Sequence, residues 1–148
     1  MKATIKTTML LGTLCAMIAC KKDDVTISEV PEISVESVSP VAVQEFKDSI
    51  VFTVSYKDGD GDLGENTAGV ENLFIKDTRN DVVFGYRIPQ LAPDGSTIAI
   101  QGRLRVTLNS TSITDQSASQ QVVYEVYAVD RAGHTSNVAT TSAVTVMK

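Results

Sequence analysis

The residues most able to do chemistry lie in one short stretch. Asp58-Gly-Asp60-Gly-Asp62-Leu-Gly64-Glu65-Asn66 puts four carboxylates into eight positions. Side chains at i, i+2 and i+4 on glycine-loosened backbone can converge on one point. Calcium takes six to eight oxygens at about 2.3–2.6 Å, and such loops supply them from carboxylates, amides and carbonyls. Without a cation, the same crowding of negative charge is unfavourable. The twelve-residue EF-hand loop wants Gly sixth and Glu twelfth. Counted from Asp58, those positions hold Leu63 and Gly69, so what remains is a generic D-x-D-x-D loop. Two readings stay open: a calcium loop, or a solvated acidic turn whose glycines serve only the backbone bends.

Other candidates carry less. His134 is the single His and follows Gly133 in a turn. A nucleophile and base need an oriented partner, and no Ser near His134 stands in a nucleophile pattern, so it reads as a surface turn residue. Paired carboxylates for glycoside cleavage can be drawn from the acidic loop, but a turn with no apolar pocket around it hardly raises one pKa. Arg103 and Arg105 read as ordinary solvation on the wet face of a strand. Tyr86, Tyr127 and Phe74 can form a sugar-stacking patch, although cross-strand packing is the commoner use of such residues.

The elements that must position these residues repeat with period two. Ile98, Ile100, Leu104, Val106 and Leu108 share one face, while Gln101, Arg103, Arg105, Thr107 and Asn109 take the other. That is a strand with one wet side. Ile50, Phe52, Val54 and Tyr56 give a second stripe, and Val82, Phe84, Tyr86 and Ile88 a third. Residues 122–129 are apolar on both faces except Glu125, which predicts a central strand. Turn residues fill the gaps. Seven strands are expected, at about 32–39, 48–57, 71–77, 81–88, 97–108, 120–130 and 137–147, with no helical stripe. The predicted fold is an all-β, seven-stranded antiparallel immunoglobulin-like sandwich over residues 32–148. If strands alternate in direction, the acidic loop and the turn after the sixth strand share one end. Asp130 then joins Asp58, Asp60, Asp62 and Glu65 as a candidate calcium ligand, beside the start of the first strand.

The stretch Tyr124-Glu-Val-Tyr-Ala-Val-Asp130-Arg-Ala-Gly133-His-Thr-Ser136 resembles the penultimate strand and hairpin of fibronectin type III and bacterial immunoglobulin-like domains. Taken with Tyr56-Lys-Asp-Gly-Asp-Gly-Asp-Leu-Gly64, the body is similar to small single-domain lipoproteins of Bacteroidetes. That resemblance implies a fold and an address, and no defined activity. The buried Trp and cysteine pair of antibody domains are lacking, because the chain has no Trp and both cysteines lie near its start.

The N-terminus reads as an address. Lys2 and Lys6 precede an uncharged run, Thr7 to Ala19. As a helix it spans roughly 20 Å, short of the ~30 Å hydrocarbon core, so a secretory signal fits better than an anchor. Met17-Ile18-Ala19-Cys20 resembles the lipobox of bacterial lipoproteins, which implies cleavage before Cys20 and its lipidation. The expected division is a signal peptide over 1–19, a lipidated Cys and flexible tether over 20–31, and the domain after it. Cys15 competes, but Leu14 before it is bulky. With both cysteines at or before the cut, no intramolecular disulfide is expected. Lys21-Lys22-Asp23-Asp24 resembles the charged signal that delivers Bacteroidetes lipoproteins to the outer face of the outer membrane. Its alternative reading is a solvated tether.

Composition bounds the function. Apolar content of 43% with 21% charge suits a globular domain and is too rich for disorder. The net charge of −5 argues against a nucleic-acid partner, which needs a basic face. The expected protein is a membrane-anchored, extracytoplasmic, non-catalytic binding or scaffolding module. It requires no cofactor beyond a candidate Ca²⁺, and contacts the membrane through its lipid. A carbohydrate-binding accessory of an outer-membrane glycan-uptake system, or an envelope adhesion or structural component, are the alternatives, with a glycan or protein partner respectively.

Overall fold

The computed structural model describes residues 27–148. The expected signal peptide, Cys20 and the first part of the tether lie outside the described residues. From Glu32 onward the chain is all-β, with ten strands. They are β1 Glu32–Ser39, β2 Ala42–Gln44, β3 Ile50–Asp58, β4 Leu73–Asp77, β5 Val83–Tyr86, β6 Ile100–Leu108, β7 Ser119–Val122, β8 Tyr124–Ala128, β9 Ala139–Thr140 and β10 Val144–Met147. They form three sheets, ordered β1-β3-β6, β2-β10-β7 and β5-β4-β8-β9.

One core joins the three sheets. Ile50, Phe52 and Val54 of β3, Leu73 and Ile75 of β4, Tyr124 and Val126 of β8, and Val144 and Val146 of β10 are all buried in it. Each set alternates with polar or half-exposed neighbours, because successive side chains on a strand point to opposite faces. Phe52 meets Tyr124 edge to face, with ring centroids 5.3 Å apart. The Tyr124 hydroxyl, buried beneath the sheets, shares a 3.1 Å hydrogen bond with Thr111 Oγ1. This is a sandwich of packed sheets.

The expected count of seven strands is corrected to ten, for two physical reasons. The sixth and seventh expected strands are each broken in the middle. Between β7 and β8, the Val123 carbonyl is taken by the Thr78 N–H and hydroxyl. Between β9 and β10, Thr141 uses its own Oγ1 to accept from the Tyr124 N–H, 3.0 Å away, in place of a ladder partner. These interruptions let one stretch of chain serve two sheets. The added strand, β2, lies in a segment expected as a turn. It pairs with β10, with Ala42 opposite Thr145 and Val43 opposite Val146. That pairing is parallel, so the sandwich is not wholly antiparallel as expected.

The expected central strand holds only in part. β8 is flanked by β4 and β9, whereas β7 lies at a sheet edge. The aromatic trio also separates. Tyr86 stands opposite Leu73 and packs toward the core. Phe74 and Tyr127 are cross-strand partners on the opposite face, with rings stacked 5.0 Å apart.

Candidate metal centre

The acidic loop begins inside β3. The buried residues of this strand are Ile50, Phe52, Val54 and then Asp58. Asp58 therefore continues the inward phase of the hydrophobic stripe, and its carboxylate points where a core side chain belongs. It is fully buried. Its Oδ2 accepts the Leu63 N–H at 2.8 Å, which folds the loop back on itself. Leu63 is also fully buried and plugs that end of the core.

Three carboxylates converge there. One oxygen of Asp58, one of Asp60 and one of Asp62 all lie within 4.8 Å of one another. Asp62 Oδ2 accepts the Ala132 N–H at 3.0 Å. With Oδ2 of Asp58 and Asp62 so engaged, Oδ1 is the free oxygen of each. The Oδ1 atoms of Asp58, Asp60 and Asp62 are all shielded from solvent and lack a hydrogen-bond partner. A buried anionic oxygen with no donor is costly.

A second buried carboxylate, at the other end of the sandwich, shows how this chain neutralises one with its own residues. Asp77 ends the inward phase of β4 as Asp58 ends that of β3. Its two oxygens are gripped by Arg79, with Nη2 to Oδ2 at 2.6 Å and Nε to Oδ1 at 3.0 Å. Around Asp58 the charged neighbours that act on it are Asp60 and Asp62. The nearest help for Asp62 is Arg131, which donates from Nη1 to the Gly64 carbonyl at 2.5 Å.

The structure brings Asp130 to this end but gives it another task. Its side chain is fully buried. Oδ1 accepts the His134 N–H at 2.7 Å and Oδ2 faces His134 Nδ1 at 3.0 Å. Asp130 thereby closes the β8–β9 turn, and it adds negative charge beside Asp62. Glu65 lies further along the loop, its N–H on the Ile88 carbonyl. Neither Glu65 nor Asp130 belongs to the converging three.

Supporting contacts come from Asn72, which carries no sequence signal of its own, and from Gly64 of the motif. Asn72 is buried, and its side chain accepts the Ile88 N–H at 2.6 Å and donates to the Ile88 carbonyl at 3.3 Å. That clips the far end of the acidic loop to the segment after β5. Gly64, at φ +85°, lets the backbone pass against the Pro89 carbonyl, where a Cβ would collide.

Electrostatics follow the geometry. Burial pushes the Asp58 carboxyl above its usual range; the Leu63 N–H opposes this, and the charges of Asp60 and Asp62 add to it. Burial also raises Asp62, followed by the charges of Asp130 and Asp60. A carboxyl raised by folding binds its proton more tightly in the folded state than in the unfolded one. Acid therefore stabilises the metal-free fold between the ordinary value of 3.8 and the raised value, and that contribution is lost as pH rises through the raised value. The melting temperature of the calcium-free chain should rise as acid is added toward the ordinary carboxylate value of 3.8. With calcium present the slope should invert, because protons then compete with the ion. Scanning calorimetry with and without calcium checks this, and equal slopes would contradict an ion at this place.

The fold and site together define a β-sandwich with a partly buried acidic loop at one end. In comparisons with models of protein families, with curated proteins and with solved structures, nothing matches the chain.

Proposed function

We propose that this chain is a lipid-anchored, extracytoplasmic binding or scaffolding module of immunoglobulin-like type, non-catalytic, whose entry end is stiffened by one calcium ion. The observation that carries the calcium assignment is the orphaned, solvent-shielded Oδ1 of Asp58, Asp60 and Asp62. Calcium suits them better than magnesium, because it accepts irregular oxygen shells and sheds its water more readily. Main-chain carbonyls and water would complete the shell. The ion's role is structural: the three Oδ1 atoms are shielded from solvent, so they hold the loop and do not present the ion to a partner.

The address rests on Cys20 and the charged residues that follow it. Once cut before Cys20, the chain carries 11 basic and 18 acidic residues, a net of −7. Anionic lipid repels such a body, so acyl chains must hold it at the membrane, and stable anchoring takes more than one chain. The location that fits is the outer membrane, facing outward.

Two measurements test this reading. Isothermal titration of the calcium-stripped chain should give one site, lost in Asp60→Asn. In cells, wild type should incorporate radiolabelled palmitate and Cys20→Ala should not. Label retained by Cys20→Ala would move the attachment to Cys15 and overturn the lipobox assignment.

A further inference from the structure

The acidic loop does not stand alone at its end of the sandwich. Gly59, the residue between Asp58 and Asp60, donates its N–H to the Ser28 carbonyl at 2.8 Å. The approach is close enough to demand glycine. A Cβ at position 59 would run into the Ile27 carbonyl oxygen and sit 2.6 Å from that of Ser28. The incoming chain is itself turned there, with the Val30 N–H on Ser28 Oγ at 3.0 Å. Ser28, Glu29 and Val30 are otherwise exposed, so the Gly59 contact is a principal hold on this segment.

We infer that cation occupancy of the acidic loop fixes the course of the incoming chain, so that residues 27–30 are docked on the domain when the ion is bound and released when it is not. This rests on the calcium reading above. The coupling needs no relay. An ion held by Asp58 and Asp60 fixes the backbone on both sides of Gly59, and so fixes the one N–H that receives Ser28. Without the ion, Asp58 and Asp60 repel each other across that same glycine. Asp58 supplies the pointer to a ligand independent of mere acidity, since it is fully buried and has an unpartnered oxygen in the cluster. The ligand is a divalent cation, and the response is the direction in which the membrane-side linker leaves the body. Linkage is reciprocal, so docking of residues 27–30 must also tighten cation binding by the same factor.

The test uses the mature full-length chain, stripped of metal and then titrated with calcium chloride. Heat of binding reports the ion. Hydrogen exchange of the Gly59 amide, together with protease cleavage within residues 27–31, reports the docking. Calcium should slow Gly59 exchange by about tenfold or more and protect residues 27–31 from cleavage. Calcium that binds with heat while both docking readouts stay unchanged overturns the coupling and leaves the metal site standing. Calcium that gives no heat overturns both. Gly59→Ala keeps every carboxylate and displaces the incoming chain. It should weaken calcium affinity by about fivefold or more, within the usual range of coupled sites, and abolish the calcium-dependent protection. Unchanged affinity in a folded Gly59→Ala chain also overturns the coupling.

Discussion

Calcium at about 10 mM should raise the melting temperature of the metal-stripped chain by roughly 8–13 °C. The size follows from mass action. Extracellular calcium modules bind with Kd near 10⁻⁴ M at the tight end of their range. A hundredfold excess then contributes about 2.7 kcal/mol, and 1 kcal/mol moves a domain of this size by about 3–5 °C. Asp58→Asn separates the cation reading from a merely acidic turn, because it should shift two numbers in opposite directions. It removes one of three mutually repelling charges from a buried site, so its metal-free melting temperature should equal or exceed that of wild type. It also removes the deepest ligand, so calcium should no longer raise it. A wild-type chain indifferent to calcium leaves only the solvated-turn reading.

The second large effect lies at the opposite end. Arg79 and Asp77 form a bidentate pair whose side chains are 9% and 5% exposed. Arg79 also donates to Gln120 Oε1 at 2.9 Å and to Thr111 Oγ1 at 3.1 Å. Thr111 in turn meets the Tyr124 hydroxyl, so the guanidinium ties the β4–β5 turn to β7 and to the buried aromatic pair. Arg79→Met keeps most of the apolar stem and leaves Asp77 as an unmatched buried charge. Breaking such a pair from one side typically costs about 3–5 kcal/mol. Urea unfolding should show that loss at unchanged slope. The double variant Arg79→Met/Asp77→Leu should recover most of it, because replacing both partners with apolar groups is close to neutral. A single variant within about 0.5 kcal/mol of wild type would show that the pair is solvated and not structural.

Both sites expose what period-two reading catches and what it misses. The stripe Ile50, Phe52, Val54, Tyr56 was legible, and extending it by one step places Asp58 on the inward face. Composition changes at Asp58, which ends the expected strand at residue 57 and leaves the calcium loop and the solvated turn both open. Asp77 stands inside the expected strand 71–77, and the same period places it inward after Leu73 and Ile75. Convergence of Asp58, Asp60 and Asp62 follows from their spacing. The diversion of Asp130 to His134 does not, since it depends on a turn closing within five residues, which composition leaves undetermined. Strand breaks at Val123 and Thr141 were illegible because β-branched residues favour strands at both positions. Only the side-chain bonds of Thr78 and Thr141 reveal the interruption. β2 is too short for alternation to register, and its partner lies a hundred residues away in the last strand. Tyr86 and Tyr127 were grouped by type, whereas their pairing with Leu73 and Phe74 puts them on opposite faces.

The way the chain enters also sets how the body bears a mechanical load. After the bend at Ser28–Val30 the chain enters β1, which runs antiparallel to β3 from Glu32 opposite Lys57 to Ser39 opposite Val51. Tension applied between residues 27–30 and the far loops would act along the strand axis. Ladder hydrogen bonds lie across that axis, so they yield together by sliding and not singly by peeling. Beyond Ser39 the chain changes sheets and β2 grips the final strand, a second latch that takes strain only after the first has slipped.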